Sequence, residues 1–309
     1  MKILVTGGAG FIGSHIVDQY IAAGHQVAVA DNMWAEGGGK EGNLNPQAQF
    51  YHADITNDAK LAQIFDEVRP EIVNHHAAQH SVAVSTTDPR LDARVNVLGL
   101  LNVLTNCTRL NTHKIIFASS GATYGTPVHL PLNEESIQHP ESPYGITKMV
   151  AEHYLHYWQE AHGLNYTILR YGNVYGPRQD PNGEAGVIAI FAKRFLTHEG
   201  VRIDWDGEQR KDYIYVGDVA RANLLALTHR ENDIFCIGTG QPVSVNEIYS
   251  TLAGITGFEA PITKAPKRPG DIYLSYFDHS KAERVLGWKP EVTFEEGVKA
   301  TIYFFRQAD

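Results

Sequence analysis

Short apolar segments alternate with longer amphipathic segments through the first half of the chain. The apolar segments are nearly continuous, which is typical of strands buried on both faces of a sheet. They cover residues 2–6, 26–31, 71–76, 114–119 and 166–170, with 49–54 as a weaker sixth. Helical periodicity marks the intervening segments, at about 12–23, 58–68, 90–110 and 144–162. This alternation predicts an α/β fold, a Rossmann-like doubly wound parallel sheet with helices on both faces.

The pattern loosens after about Leu169. Residues 171–186 are rich in Gly, Pro, Asn and Asp, which predicts irregular structure, and residues 264–271 form a basic loop. Between and beyond them we predict strands near 201–205, 212–216 and 233–240, and helices near 186–198, 217–229, 244–257, 278–286 and 295–307. We therefore divide the chain into a first domain, 1–172, and a smaller C-terminal domain, 173–309. The chain is expected to return to the first domain within about 212–240.

Composition narrows the range of partners. The 309 residues are 43% hydrophobic and 20% charged, as in ordinary globular proteins. A formal charge of -9 argues against a general nucleic-acid or anionic-membrane partner, since both need a basic face. The two cysteines, Cys107 and Cys236, lie in apolar contexts and predict buried thiols in a reducing compartment. The N-terminal residues read as a strand rather than a signal peptide, and we expect a cytoplasmic protein without a membrane span.

A glycine-rich turn follows the first predicted strand. The segment "VTGGAGFIGSH" places Gly7, Gly10 and Gly13 between that strand and the first helix. Gly7 permits a tight turn, Gly10 lets the backbone approach a pyrophosphate, and Gly13 permits close packing of helix on sheet. The N-terminus of the helix adds N–H groups and partial positive charge. This arrangement predicts a dinucleotide site.

The second predicted strand ends in an acidic residue that identifies the dinucleotide. Asp31 lies about 20 residues beyond the glycine turn, where a carboxylate binds the ribose hydroxyls. A carboxylate would repel a 2′-phosphate, and the neighbouring "ADNMW" offers no Arg or Lys. The sequence therefore predicts NAD rather than NADP.

Three side chains predict proton chemistry. Tyr144 and Lys148 are four residues apart in "SPYGITK" and share one helix face. A phenol with a pKa near 10 is a poor base, but a nearby ammonium favours the phenolate. Ser120 follows an apolar strand, at the edge where open α/β sheets bind ligands. Together they predict a catalytic group in which Tyr144 takes a proton from an alcohol and Ser120 hydrogen-bonds the same oxygen.

With these motifs the sequence resembles the extended short-chain dehydrogenase/reductase family, and within it the UDP-glucose (UDP-galactose) 4-epimerases. The resemblance runs the whole length and is carried by "TGGAGFIGSH", "DN", "HADI", "NHHAAQHSV", "VNVLG", "SSGATYG", "SPYGITK", "LRYGNVYGPRQ", "DYIYVGDVA", "IGTG" and "KRPGD…DHSKAERVLGWKP". It implies that residues 1–172 bind NAD and that 173–309 mainly bind a nucleotide sugar. It also implies that Lys148 orients the nicotinamide ribose and lowers the pKa of Tyr144.

The resemblance implies further contacts. For NAD they are Phe11, Ile12, Asn32, Asp54, Ile55, Ala77, Ala78, Asn96 and Tyr171, in addition to the glycines, Asp31, Tyr144 and Lys148. For the UDP-sugar they are Ser120, Asn173, Val187, Lys211, Arg268, Asp271 and Ser275.

The resemblance implies epimerisation at C4 through a transient 4-keto sugar. Nucleotide-sugar 4,6-dehydratases carry a Thr-Asp-Glu run where this chain has Ser120, Gly121 and Ala122, so elimination has no acid or base here. Two alternatives stay open: a UDP-glucuronate 4-epimerase and a nucleotide-sugar 4-ketoreductase. A cofactor-sensing binding protein on the same fold is a third, but such relatives usually lose the Tyr or the Lys.

Three positions depart from the family pattern. The Arg that usually precedes "DY" is Lys211, with Arg210 one place earlier, so either could serve the phosphates. His80 replaces a common Lys. Ser275 occupies a position where a bulky Tyr restricts relatives to glucose and galactose, which predicts that N-acetylhexosamines also fit.

Two features receive structural interpretations. The histidines near 75–80 lie at a strand end without a ligand motif, and we predict no metal site. The aromatic residues at 154–158 follow helical spacing and predict core or interface packing. By resemblance we expect a homodimer through the helices at 90–110 and 144–162.

Overall fold

The computed structural model describes residues 1–34, 38–182, 186–267 and 271–308. Its strands are β1 Lys2–Thr6, β2 Gln26–Asp31, β3 Gln49–His52, β4 Ile72–His75, β5 Lys114–Ser120, β6 Asn165–Tyr171, β7 Asn173–Tyr175, β8 Val201–Asp204, β9 Arg210–Tyr215, β10 Asp233–Ile237, β11 Pro242–Ser244, β12 Ile262–Ala265 and β13 Leu274–Ser275.

The α-helices are α1 Phe11–Ala22, α2 Asp58–Val68, α3 Val82–Thr87, α4 Pro89–Ala93, α5 Gly99–Arg109, α6 Pro143–His162, α7 Val187–Leu196, α8 Val216–Ala226, α9 Val245–Thr256, α10 Ser280–Leu286 and α11 Phe294–Ala308. A π-helical turn, Arg94–Leu98, joins α4 to α5, so the single helix predicted at 90–110 is interrupted. Such turns widen the helix by one residue and are frequent at functional sites.

A seven-stranded sheet in the order β10-β6-β5-β4-β1-β2-β3 forms the centre of the fold. All of its pairs are parallel. The predicted Rossmann-like sheet is confirmed, and both faces of its strands are covered, which explains the continuous apolar segments. The order reverses beside β1, which lies between β2 and β4 although it precedes both.

Two apolar cores lie on the two faces of this sheet. One face is covered by α1 and α8, which contribute Ile16, Val17, Val219 and Ala220. The other is covered by α2, α5 and α6, which contribute Leu61, Val103 and Leu155. Cys107 and Cys236 are buried free thiols, as their apolar contexts predicted.

The C-terminal part has its own core, where α7, α9 and α11 pack together. A small mixed sheet joins β7, β11 and β13 to β9, and β8 pairs with β12. Two predicted segments begin or run differently here. The segment 171–186 contains β7, and the first two residues of the expected basic loop at 264–271 belong to β12, because each short strand pairs with a partner distant in the chain. Residues 268–270 of that loop lie outside the described residues.

Among the described helices, none combines the length and the apolar character that crossing a membrane requires.

Candidate active site

The glycine turn lies where the strand order reverses, the usual ligand site of open α/β sheets. Gly7 has a φ of 73°, which side chains adopt rarely. A Cβ on Gly7 would lie 2.6 Å from the backbone N of Ala77, and one on Gly13 would lie 2.2 Å from the carbonyl O of Gly7. The turn therefore folds this tightly only because both residues are glycine.

The helix that follows the turn offers its first N–H groups to a ligand. Gly10 is the N-cap of α1 and no side chain caps it, whereas Asn57 caps α2 and Ser142 caps α6. The first turn of an α-helix has N–H groups without partners inside the helix, and these bind anions. Phe11 and Ile12 are the first residues of this turn.

Asp31 ends β2 beside the turn and is 7% exposed. Its carboxylate accepts hydrogen bonds from the N–H of Ala9 at 3.0 Å and of Met33 at 2.8 Å. A carboxylate accepts about four hydrogen bonds, so Asp31 can also take those of ribose hydroxyls. Next to it, the Asn32 amide donates to Asp54 at 3.1 Å. Together, the glycine turn, the uncapped start of α1 and the carboxylate of Asp31 fit a dinucleotide.

The other residues expected near NAD lie at the same sheet edge. Ile55 is buried after β3, and Ala77 and Ala78 are half-buried just after β4. The N–H of Ala77 donates to Thr6 Oγ1 at 3.3 Å, which ties this segment to the end of β1.

The side chain of Asn96 is engaged inside the protein. Its Oδ1 accepts from Gln79 N at 2.9 Å, and its Nδ2 lies within hydrogen-bonding distance of Gln79 O, Asp92 and Thr147. Asn96 therefore fixes the segment after β4, and its expected contact with NAD stays a prediction.

Tyr144 and Lys148 lie on α6, whose start is fixed by Pro143 and by Ser142, which accepts from Gly145 N at 3.1 Å. Tyr144 is half-buried, whereas Lys148 is 5% exposed. Lys148 Nζ donates to Ala118 O at 2.8 Å and lies 5.8 Å from the centroid of the Tyr144 ring. The predicted pair therefore forms one local group against the end of β5.

Burial shifts the acidity of both groups. It raises the pKa of Tyr144 to about 12, with the nearby Ser120 hydroxyl opposing the rise and the charge of Asp92 adding to it. Burial also lowers the pKa of Lys148 to about 8, against the nearby carboxylates of Asp92 and Glu152. Each shift disfavours the charged form, so the phenolate needs a nearby positive charge to form at neutral pH.

The two serines at the end of β5 have different partners. Ser120 Oγ accepts from Ala122 N at 3.1 Å, and Ser120 lies near enough to Tyr144 for its hydroxyl to lower the pKa of the phenol. Ser119 Oγ donates to the buried Glu152 at 2.5 Å. Ser120 is therefore the serine that can assist Tyr144.

The residues expected to bind the sugar nucleotide lie on the C-terminal part. Asn173 is in β7 and donates to Asp212 O at 3.2 Å, Val187 begins α7, and Asp271 is half-buried. Arg268 lies outside the described residues.

Lys211 and Ser275 are paired positions on β9 and β13. Arg210 precedes Lys211 and is bound to the C-terminal part, since it donates to Glu247 at 3.0 Å and to Pro242 O at 3.1 Å. Successive side chains of a strand point to opposite faces. Lys211 therefore faces away from the Arg210–Glu247 pair.

Sequence reasoning missed several buried polar residues behind the catalytic group. Arg170 in β6 pairs with Glu152 on α6, with N–O distances of 3.0 and 2.6 Å. Two signals could have found the pair: Arg170 interrupts an apolar strand, and Glu152 lies four residues after Lys148. Asp92, 0% exposed, was also missed.

The buried histidines have protein partners. His75 Nδ1 lies 2.7 Å from Thr6 Oγ1, and His76 Nε2 lies 3.0 Å from the Tyr171 hydroxyl. Burial lowers the pKa of each to about 3. In the described part of the chain, no group of three or more His, Cys, Asp or Glu is arranged to hold a metal ion.

Comparison with known proteins adds three relatives. The chain is 45% identical to a putative UDP-glucose 4-epimerase of Methanocaldococcus jannaschii, covering 98% of both chains. It resembles a solved UDP-glucose 4-epimerase of Thermotoga maritima with UDP-glucose (TM-score 0.97, 48% identity, 100% and 99% covered). It also resembles one of Thermus thermophilus in complex with NAD (TM-score 0.95, 43% identity, 100% of both covered).

A protein-family model described as GDP-mannose 4,6-dehydratase matches residues 4–301. The match includes the glycine turn, the catalytic group and most of the C-terminal part. The chain belongs to this family of extended short-chain dehydrogenases/reductases.

Proposed function

We propose that this chain is an NAD-dependent UDP-glucose 4-epimerase that interconverts UDP-glucose and UDP-galactose. One observation carries the proposal: the end of β5 with Ser120 lies against the start of α6 with Tyr144 and Lys148, at the sheet edge that holds the glycine turn. The full-length similarity to UDP-glucose 4-epimerases supports it.

The residues of the chain supply proton transfer and orientation. NAD, when bound, supplies the oxidation at C4 and the reduction that reverses it. Tyr144 accepts the proton of the sugar 4-hydroxyl as phenolate and later returns it. Ser120 hydrogen-bonds the same oxygen, and the Lys148 ammonium stabilises the phenolate. The resulting 4-keto sugar must turn its other face before reduction, so its ring cannot be held as firmly as the diphosphate.

The absence of elimination chemistry favours an epimerase over the dehydratase for which the family is described. Gly121 and Ala122 begin the short 3₁₀ turn after Ser120, at the positions where dehydratases have their acids. A Cβ on Gly121 would lie 3.0 Å from Phe277 Cζ, so a longer side chain would have to displace that ring. These two residues can neither protonate a leaving hydroxyl nor remove the C5 proton.

For NAD we propose that Gly7, Gly10 and Gly13 with the first turn of α1 hold the pyrophosphate. Asp31 and Asn32 would bind the adenosine ribose, with Asp54 and Ile55 near the adenine. Ala77, Ala78, Asn96 and Tyr171 would line the remainder of the pocket. The division into an NAD-binding domain, 1–172, and a substrate domain, 173–309, is part of this proposal, and β10 and α8 would complete the first.

For the UDP group we propose Asn173, Val187, Lys211, Arg268 and Asp271. Because successive side chains of a strand point to opposite faces, Lys211 faces away from the Arg210–Glu247 pair, and we propose Lys211 as the cation for the diphosphate.

We also propose a cytoplasmic homodimer that contacts through α4–α6. Leu98 and Tyr157 are each 55% exposed on these helices and Ile146 is 46% exposed, which is unusual for large apolar side chains unless a partner covers them. Light scattering on Tyr157→Glu tests this contact, since a charge at a dimer interface should shift the species towards the monomer.

Removal of the Tyr144 hydroxyl should cause the largest loss of activity. Tyr144→Phe should fold and retain NAD but lower kcat by roughly 10²- to 10⁴-fold, because no group remains to take the proton. Proton NMR of UDP-glucose incubated with each protein measures the appearance of UDP-galactose. Wild-type turnover in the variant would remove Tyr144 from the mechanism. Steady growth of free NADH absorbance with the wild type would instead indicate a ketoreductase.

Ser275 should set the size of the accepted sugar. Ser275→Tyr should abolish turnover of UDP-N-acetylglucosamine while UDP-glucose is still epimerised, because the phenol fills the space beside C2. Parallel NMR assays with the two substrates measure this. If wild type itself does not turn over UDP-N-acetylglucosamine, the small side chain does not have this role.

A further inference from the structure

Asp92 on α4 is a fully buried carboxylate close to the catalytic group. It receives hydrogen bonds from Gln79 Nε2 at 2.8 Å, Asn96 Nδ2 at 3.0 Å and Thr147 Oγ1 at 2.8 Å. Gln79 Nε2 and Asn96 Nδ2 can only donate to this carboxylate, whereas the single proton of Thr147 Oγ1 can go to Asp92 or to Tyr144 O. Burial raises the pKa of Asp92 above its usual value, and the hydrogen bonds from Thr147 and Gln79 and the charge of Lys148 oppose that rise.

The carboxylate reaches the catalytic helix through Thr147. This residue lies between Tyr144 and Lys148 on α6, and its hydroxyl also lies 3.0 Å from Tyr144 O. The contact fixes where α4 meets the first turn and a half of α6. Asp92, on the helix that precedes the π-helical turn, is thus held against the residue next to Lys148.

A second buried carboxylate near Lys148 has its charge balanced by another cation. Glu152 binds the Arg170 guanidinium through both oxygens and accepts from Gln138 at 2.9 Å. Asp92, by contrast, has neutral hydrogen-bond donors. A buried carboxylate without a cation is costly, and so is a buried ammonium without an anion.

The other titratable groups facing Lys148 do not supply a charge of either sign. His75 and His76 lie near enough to be affected by Lys148, and burial keeps both neutral near pH 7. Tyr144 is neutral until it gives up its proton, and the charge of Asp92 also acts on it directly by raising the pKa of its phenol. Asp92 is therefore the anion whose charge is left to offset that of Lys148.

We propose that Asp92 is a positioning residue that holds Lys148 in its ammonium form, so that the ammonium is present when Tyr144 becomes a phenolate. The inference rests on the proposed function of Tyr144 and Lys148. Asp92 touches neither substrate nor cofactor in this role and acts through Lys148.

Lysine titration tests the inference without any turnover. In protein carrying ¹³Cε-lysine, the resonance lost in Lys148→Met identifies Lys148. In Asp92→Asn its titration midpoint should fall by about one pH unit or more, the size of shift that one nearby opposite charge produces. Thr147→Val is the matched control, because it removes a hydrogen bond to the same carboxylate but keeps the charge, and its midpoint should stay near that of wild type. A wild-type midpoint in Asp92→Asn would overturn the inference.

A reciprocal measurement covers the case in which Asp92→Asn does not fold. If the two groups stabilise each other's charge, Lys148→Met must raise the pKa of Asp92, followed through the ¹³Cγ resonances of aspartate. An unchanged Asp92 titration would overturn the inference equally.

The pH profile of kcat connects the inference to catalysis. The alkaline fall of activity, where Lys148 loses its proton, should move to lower pH in Asp92→Asn and remain in place in Thr147→Val. If wild type does not epimerise UDP-glucose, the proposed function is refuted. The titration of Lys148 then still decides whether Asp92 holds the ammonium form, because it needs no turnover. An alkaline limb that does not move in Asp92→Asn would refute the role given to Asp92 while the epimerase stands.

Discussion

Arg170 and Tyr171 are neighbours at the end of β6, yet they enter two different buried networks. Successive strand residues point to opposite faces, so Arg170 joins the face covered by α6 and Tyr171 the face covered by α1 and α8. The first network is charged and the second is neutral. Both lie directly behind the proposed site.

The charged network centres on one ion pair. Arg170 binds Glu152 through two nitrogens and also donates to the Tyr124 hydroxyl at 2.7 Å. Glu152 further accepts from Ser119 at 2.5 Å and Gln138 at 2.9 Å. Nearly every hydrogen-bonding site of the carboxylate is used, which is what a buried charge requires.

The neutral network is a closed cycle of four hydrogen bonds. His76 Nδ1 donates to Asn74 Oδ1 at 2.5 Å, and Asn74 donates to Asn223 at 2.9 Å. Asn223 donates to the Tyr171 hydroxyl at 2.8 Å, which donates back to His76 Nε2 at 3.0 Å. The directions follow because Asn74 Oδ1 can only accept, so the proton of neutral His76 is on Nδ1.

The difference shows where this protein tolerates buried charge. The lysine and carboxylates lie on the face where the proposed reaction moves a proton. On the opposite face, amides and a phenol fix α8 against the sheet without any charge. Three measurements test this difference between the two faces.

The largest effect is expected on the charged face. Glu152→Gln leaves Arg170 buried without an anion and should lower the free energy of unfolding by about 3–5 kcal/mol, measured by urea denaturation. Replacing both residues with Met should recover most of that loss, because no unpaired charge remains. If Glu152→Gln were as stable as wild type, the Arg170–Glu152 pair would contribute no more to the free energy of unfolding than the neutral cycle does.

Acid should act mainly through the histidines. The pKa of His75 and His76 is lowered from 6.5 to about 3 by burial and by Lys148, so between these values the unfolded chain binds more protons. Stability is therefore full above pH 6.5 and falls as the pH drops, by up to about 1.4 kcal/mol per pH unit for each histidine. Unfolding midpoints at pH 7 and pH 5 test this. In wild type, protonation of His76 prevents its Nε2 from accepting the hydrogen bond of Tyr171. His76→Gln removes this titration, so the stability of the variant should fall less steeply as the pH drops. An equally steep fall would contradict this role of His76.

A matched pair of Tyr→Phe variants gives the smallest and sharpest comparison. Tyr124→Phe removes a hydroxyl that binds Arg170 and should cost about 2 kcal/mol, whereas Tyr171→Phe opens the neutral cycle and should cost about 1 kcal/mol. Both are measured by urea denaturation. The reverse order would mean that closure of the cycle outweighs the charge of Arg170.

Local patterns in the sequence were sufficient for the first six strands and for the glycine turn. The continuous apolar segments, the glycines at 7, 10 and 13, and Asp31 each act within one strand–turn–helix unit. The same holds for Tyr144 and Lys148, which are one helical turn apart. The short strands β7, β12 and β13 were missed, because their pairing partners are far away in the chain.

Periodicity and spacing within a few residues encode the sheet, the glycine turn and the position of Tyr144 and Lys148 on one helix face, so the sequence alone predicts them. The fold was needed to show that Asp92 and Glu152 lie near Lys148 and that Arg170 and Tyr171 enter different networks. Those outcomes depend on contacts between residues far apart in the chain, such as Asp92 with Thr147 and His76 with Tyr171. Burial brings such groups together and sets their charge, and burial is a property of the whole fold.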